Sequence, residues 1–206
     1  MKDNDNKRFW QRFAKLYTPF MRRSGGKLYD EICGHIRPHL TRRMNVLELA
    51  CGTGQLSFHL ARRVHLWEAT DFSEAMITEA RKQGGPLPLR FSVQDATNLP
   101  YADESFDAVV ISNALHIMPH PEKALLEIRR VLKPDGILFA PTFIHSEGTG
   151  FRLRVRFMEL IGFHAFHKWD EKGFVRYLED HGFVVIQHQI MGSRLTPLCY
   201  LEAKRS

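Results

Sequence analysis

The sequence contains no apolar run approaching the ~20 residues that a membrane-spanning helix needs, which argues against a helical membrane protein. Cysteine is scarce: Cys33, Cys51 and Cys199 stand apart, with no C-x-x-C spacing. Three thiols cannot all pair within one chain, so a reducing cytoplasm is the expected compartment, and no zinc site is expected from them. The eleven histidines show no ligand spacing, so no metal is expected. The start, Met1-Lys2-Asp3-Asn4-Asp5-Asn6, is polar and lacks the apolar core of a signal peptide. Internal repeats, linkers and low-complexity segments are absent. Acidic residues are outnumbered, 23 against 29 Lys and Arg, for a net charge of +6. That balance admits nucleic acid, an anionic membrane surface or an acidic small molecule as partner without choosing among them. What remains is 206 residues, 44% hydrophobic and 25% charged, enough for one soluble domain with a full core.

The informative stretch is Val46-Leu47-Glu48-Leu49-Ala50-Cys51-Gly52-Thr53-Gly54-Gln55-Leu56-Ser57. It starts as an apolar run of strand type, turns through two glycines, and continues with Leu56, Leu60 and Val64 at helical spacing. A strand that breaks through glycines into a helix is a nucleotide-binding corner, because glycine reaches positive φ and no Cβ obstructs a ligand. The dinucleotide pattern G-x-G-x-x-G is incomplete, since Ser57 occupies its third glycine position. No Gly-Lys-Ser/Thr ending marks a phosphate loop. Glu48, just ahead of the turn, would repel a pyrophosphate and favour a ligand carrying positive charge. S-adenosylmethionine, with an adenosine, a sulfonium and an ammonium but no phosphate, suits this corner.

At these residues the chain resembles the class I S-adenosylmethionine-dependent methyltransferases. Their first motif, acid-x-Gly-x-Gly-x-Gly, is read here as Glu48-x-Ala50-x-Gly52-x-Gly54, with alanine for the first glycine. The resemblance extends to about Pro141. Asp71, seventeen residues past Gly54, ends the second strand (about Val64 to Thr70) and stands where an acid can hold a ribose diol. Asp71-Phe72-Ser73-Glu74-Ala75-Met76 matches the family's second motif, in which Phe72 and Met76 would flank the adenine. Ser73 and Glu74 also suit the start of a helix running to about Lys82. A third strand, Leu87 to Val93, leads to Asp95, which can accept from the adenine amino group, and Ala96, small enough to leave room for the ring. A fourth strand, Ala108 to Ser112, ends at Asn113. The resemblance implies cofactor-binding roles for Glu48, Ala50, Cys51, Gly52, Gly54, Asp71, Phe72, Met76, Asp95, Ala96 and Asn113, and S-adenosylhomocysteine as product. It also implies that a tyrosine in a segment like Ala14-Lys15-Leu16-Tyr17 closes over the cofactor. Tyr17 is the matching position, though an ordinary half-buried aromatic fits it equally well.

Because ligands in open parallel sheets lie beyond the carboxyl ends of the strands, Glu48, Asp71, Asp95 and Asn113 are expected along one edge. His116 is a candidate general base or a structural histidine. Asp107 reads as structural, Asp103 and Glu104 as solvated. A helix from about Glu122 to Leu132 follows, then a turn, Lys133-Pro134-Asp135-Gly136, and a fifth strand, Ile137 to Ala140. A second helix is expected from about Asp170 to His181, with antiparallel strands near Phe183 to Ile190 and Leu198 to Ala203. Ahead of the core, Phe9, Phe13, Leu16 and Phe20 form an apolar stripe among Arg8, Arg12, Lys15, Arg22 and Arg23. That segment is either a lid helix or an amphipathic helix on anionic lipid. A further helix, Lys27 to Ile36, should bury Leu28, Ile32 and Cys33. Phe151 to Phe166, rich in Phe, Met and Arg, reads as a covering helix or the wall of an apolar acceptor pocket.

The expected architecture is a single α/β domain of Rossmann-like methyltransferase type. It has a mostly parallel seven-stranded sheet, helices on both faces and an antiparallel C-terminal edge. Its parts are an N-terminal helical lid (1–40), a cofactor core (44–141), an acceptor-side cap (142–182) and C-terminal strands (183–206). The expected activity is methyl transfer to a small, amphiphilic acceptor such as a phospholipid amine or a quinone, in the cytoplasm or at the membrane periphery. A nucleic-acid methyltransferase is the competing enzyme, weakened because no Asn/Asp-Pro-Pro-Tyr/Phe tetrad follows the fourth strand. A catalytically silent cofactor-fold module and an NAD-linked oxidoreductase, the latter weakened by Ser57 and Glu48, compete with it as well. Nothing in the sequence sets an oligomeric state.

Overall fold

The computed structural model describes residues 10–12, 14, 26–145, 165–193 and 196–206. Tyr17, most of the basic N-terminal stripe and residues 151–164 lie outside that set. Helix α1 is Gly26–Ile36. Strand β1 (Asn45–Leu49) leads into the short helix α2 (Ser57–Leu60), then β2 (Leu66–Asp71), α3 (Glu74–Lys82), β3 (Leu89–Val93) and β4 (Phe106–Ile111). Helix α4 (Pro121–Val131), β5 (Leu132–Phe139), the two-residue β6 (Thr142–Phe143), α5 (Glu171–Asp180), β7 (Phe183–Ser193) and β8 (Thr196–Arg205) complete the described chain.

The sheet runs β3-β2-β1-β4-β5-β8, with β6 and β7 both paired to β8. Pairs among β1 to β5 are parallel, whereas β8 is antiparallel to β5, β6 and β7. From β1 the chain steps outward to β2 and β3, then returns to β4 on the other side. The crevice left where the order reverses, beyond the ends of β1 and β4, is where ligands bind in such sheets. The antiparallel C-terminal pair is present, and its earlier strand is the outer one. Burial explains the order: β8 is continuously buried from Leu198 to Glu202 and on to Ala203, while β7 exposes Val184, Ile186 and Ile190.

Alternation along the strands sends side chains to two cores. Leu47, Leu49, Val109, Ile111 and Leu138 face α4 and α5. Val46, Ala108, Val110, Ile137 and Phe139 face α1 and α2. Helix α4 shows why the sequence folds this way: Pro121 fits the first turn, Arg129 and Arg130 sit in the last, and Ala124, Leu125, Ile128 and Val131 form its buried stripe. Ser73 caps α3 by accepting from Met76 N–H (3.4 Å), as expected. Asp170 caps α5 through Gly173 N–H (2.7 Å). In α1 the buried face is Tyr29, Ile32, Cys33 and Ile36; Leu28 is only half-buried.

Three expectations change in detail. The sheet has eight strands rather than seven, because the short β6 adds a second antiparallel pairing to β8. Lys133–Gly136 is not a free turn: Leu132 already pairs with Phe106, and Ile137 with Ala108, so the four residues bulge from the base of β5. Asp107, which occupies the partner strand there, accepts from Asn45 N–H (2.8 Å) and pairs with Lys133 (2.6 Å), a structural clasp as expected. Asp103 and Glu104 are exposed yet paired, to Arg130 (2.8 Å) and Arg205 (3.0 Å).

Candidate functional site

Register fixes the level of the site. Leu49 lies beside Thr70 on one side and Ile111 on the other, so Ala50, Asp71 and Ser112 emerge side by side at the sheet's carboxyl edge. From that level the chain turns through Ala50 (φ 52), Gly52 (φ 57) and Gly54 (φ 89). A Cβ on Gly54 would lie 2.6 Å from Phe58 Cε2, so this glycine is required both by conformation and by space. Ala50 holds a left-handed conformation at a cost of ~1–2 kcal/mol for an L-residue.

Asp71, 6% exposed, fastens the corner. Its Oδ2 accepts from Gly52 N–H (2.9 Å) and its Oδ1 from Ser73 N–H (2.8 Å). Each oxygen keeps a lone pair for a ligand hydroxyl. Burial lifts its pKa to about 6, against the pull of those two amides. Glu48, also buried, accepts on Oε2 from Ser57 Oγ (2.5 Å) and Trp67 Nε1 (2.7 Å). Among the described residues Oε1 has no hydrogen-bond partner, and Glu48 lines the groove described below. Burial raises it to about 7, the Ser57 and Trp67 hydrogen bonds oppose the rise, and Asp71 adds to it. Glu48 is therefore poised between its two forms near neutrality, and a cation in the cleft would draw it into the ionised one.

These groups share one groove of about 560 Å3, open mouth included. It is lined by Glu48, Ala50, Cys51, Gly52, Asp71, Phe72, Met76 and Asn113, together with Trp10, Tyr29, Gln55, Leu56, Ser112, Ala114 and Ile117. Gly54 shapes the turn beneath. The Cys51 thiol is buried and stays protonated, its pKa pushed up by burial and by Glu48 and Asp71.

Asp95 and Ala96 are not in the lining. Asp71 pairs with Val93, so Asp95 lies two residues past the common level on the outer strand. There its Oδ1 accepts from Thr97 N–H and Oγ1 (2.9 and 2.7 Å). Ala96 packs into the core beside Leu99. His116 sits in a short turn, Leu115–Ile117, between two lining residues, but its own ring is buried behind them. Burial, with His167 nearby, lowers its pKa to about 4. It is neutral at physiological pH and, as it stands, a weak base.

Sequence reasoning missed Trp10, Tyr29, Gln55 and the role of Ser57. The last had a signal: a hydroxyl at the third glycine position, nine residues after an acid in the strand. Among the described residues no cluster of His, Cys, Asp or Glu is arranged to hold a metal ion, and no helix is long and apolar enough to cross a membrane.

Residues 47–140 match the family model described as "Methyltransferase domain". Demethylmenaquinone methyltransferase of Clavibacter sepedonicus is 46% identical over 92 residues, 44% of this chain and 38% of that protein. The ubiquinone/menaquinone biosynthesis C-methyltransferase of Bordetella avium is 38% identical over 113 residues, 52% of this chain and 44% of that protein. The chain thus spans less than half the length of these two relatives. Among solved structures, a chain of the complex that the Haloferax volcanii Trm112 methyltransferase activator forms superposes with TM-score 0.80 at 19% identity, covering 95% of this chain and 97% of that one. Magnesium protoporphyrin IX methyltransferase from Synechocystis, solved with bound S-adenosylhomocysteine, gives TM-score 0.70 at 20% identity, covering 90% and 85%. The fold is the Rossmann-like one of these solved methyltransferases. Residues 47–140 are similar to the methyltransferase domain that this family model describes.

Proposed function

We propose that this chain transfers a methyl group from S-adenosylmethionine to a small acceptor, releasing S-adenosylhomocysteine. The observation that carries the reading is the meeting of Glu48 and Asp71 in one groove around a positive-φ corner. The residues fit that cofactor: two buried acids for a cationic nucleoside, a Cβ-free approach at Gly52, and Phe72 and Met76 as an apolar seat for the base. Asp71 would take the ribose hydroxyls, Glu48 would face the positively charged end, and Trp10 and Tyr29 would cover it. When bound, the cofactor supplies an electrophilic methyl on sulfur.

The chain's contribution is then positioning. An aligned nucleophile about 3 Å from the methyl, in a dry groove, accounts for much of the rate without a side-chain nucleophile or metal. Asn113, Ala114 and Ile117 form the wall on the acceptor's side. The names of the relatives favour a quinone-type ring over a phospholipid amine as acceptor. A labelled-methyl screen against quinol, phospholipid and nucleic-acid pools tests this. Label in the quinol pool is expected; label in nucleic acid alone would refute it. The basic residues between Arg8 and Arg23 support contact with an anionic membrane surface. Undiminished vesicle co-sedimentation after removing residues 1–23 would contradict that contact.

A further inference from the structure

Glu48 and Trp67 stand on adjacent parallel strands and on the same face of the sheet. Glu48 lies beside Ala69, and Trp67 beside Val46, so period-two alternation sends both side chains toward the α1 and α2 core. Ser57, the first residue of α2, meets them there. Ser57 and Trp67 are fully buried and Glu48 is 2% exposed. Burying an acid with two polar donors costs free energy that apolar side chains would not.

Both donors end on one oxygen. Oε2 accepts from Ser57 Oγ (2.5 Å) and from Trp67 Nε1 (2.7 Å), which occupies both of its lone pairs. Oε1 has no partner. Yet it is not one of the enclosed, unpartnered atoms of the described residues. The small exposed remainder of Glu48 therefore includes Oε1, on the groove that Glu48 lines.

The donor inventory decides where a proton can sit. An indole N–H only donates, so Trp67 needs an acceptor whatever the charge on Glu48. Ser57 could reverse, but its hydroxyl hydrogen would then need another acceptor. Among the described residues Glu48 is the side chain it bonds. A proton on Oε2 would thus break one of the two bonds and strand a buried group. A proton on Oε1 breaks neither. The neighbouring titratable groups are Asp71 on β2, Cys51 in the glycine turn and Cys33 on α1. Burial, and after it Glu48, holds both thiols protonated, while Asp71 opposes ionisation of Glu48. Ser57 and Trp67 are the groups that favour its charged form.

Resting on the methyl-transfer reading, we propose that Trp67 and Ser57 are positioning residues for the cofactor. By keeping Oε2 occupied, they make Oε1 the oxygen that carries the proton in the empty groove and gives it up to meet the cofactor's positively charged end. Binding of S-adenosylmethionine then releases a proton from Oε1 to solvent while the two inner bonds stay in place. The response to the cofactor is confined to one atom, and no buried donor has to reorganise.

The test follows the Glu48 carboxyl carbon by 13C NMR in the empty full chain, assigned by its loss in Glu48→Gln. Calorimetric binding of S-adenosylmethionine is measured alongside, from pH 6 to 8.5. Trp67→Phe keeps an aromatic ring and removes one donor; Ser57→Ala removes the other. Each should raise the Glu48 midpoint from about 7 by about one unit. Affinity should accordingly fall about tenfold at pH 6 but less than about twofold at pH 8.5. In a Glu48→Gln background the same substitutions should change affinity by less than about twofold at every pH. Each variant reads out separately, so one that fails to fold leaves the other to decide. An unmoved midpoint, or an affinity loss of equal size at every pH and in the Glu48→Gln background, would overturn the positioning role. Failure of the wild type to bind S-adenosylmethionine would instead remove the cofactor reading beneath it, and the carboxyl titration of the empty protein separates the two results.

Discussion

Replacing Glu48 with glutamine should make the protein more stable at alkaline pH and worse at binding its cofactor. The carboxyl is 2% exposed, and among the described residues only its Oε2 has hydrogen-bond partners. Burial puts its folded pKa at about 7 against an ordinary 4.5. The folded value is the raised one. This group's favourable contribution is therefore complete below about pH 4.5 and is lost as pH climbs through 7. The gap corresponds to about 3 kcal/mol at full ionisation, an upper figure because bound water and relaxation soften it. Glutamine resembles the protonated acid, since its carbonyl oxygen can still accept from Ser57 and Trp67. Urea unfolding followed by fluorescence between pH 5 and 8.5 should show Glu48→Gln level with the wild type at pH 5 and ahead by about 1–3 kcal/mol at pH 8.5. S-adenosylmethionine binding should weaken in the variant, because the ionised form is what a cation selects. Parallel pH profiles for the two proteins would refute the argument that ionising Glu48 destabilises the empty fold and is retained for a ligand.

Other substitutions probe the same corner. Asp71→Ala leaves Gly52 and Ser73 N–H without their acceptor, so stability should fall by about 2–4 kcal/mol. Cofactor affinity should fall at least tenfold, and unchanged calorimetric affinity would remove Asp71 from the ribose site. Gly54→Ala combines φ 89 with a 2.6 Å approach to Phe58, and a loss of about 1–3 kcal/mol is expected in thermal unfolding. Ala50→Gly relieves a left-handed alanine. After the greater freedom of glycine in the unfolded chain is offset, it should be stabilising by up to about 1 kcal/mol. A clear loss would show that the alanine methyl packs usefully.

Much of this was legible in the sequence because the chemistry is local there. Glu48, the glycine turn, Asp71 and Asn113 lie at or just past the ends of strands whose apolar runs are easy to read, and a parallel sheet brings strand ends to one edge. Asp95 shows where that logic thins. Like Asp71 it is the acid at a strand's carboxyl end, but its strand is outermost and it lies two residues beyond the common level, a matter of register that no single strand discloses. Trp10 and Tyr29 were invisible as site residues because their approach to the groove is a long-range contact, and a stripe of aromatics reads the same whether it packs on a core or a ligand. The order of the last two strands was present in the pattern: Leu198-Cys199-Tyr200-Leu201 is continuously apolar, as an inner strand must be, whereas β7 mixes Gln187, His188 and Gln189 among its apolar residues.

The central claim is that two buried acids seat a cationic nucleoside. Calorimetric titration with S-adenosylmethionine near pH 6.5, in two buffers of different ionisation enthalpy, tests it most directly. Micromolar binding accompanied by proton release is expected, as Glu48 and Asp71 shift toward their charged forms. No binding of S-adenosylmethionine, or binding of NADH in its place, would contradict it.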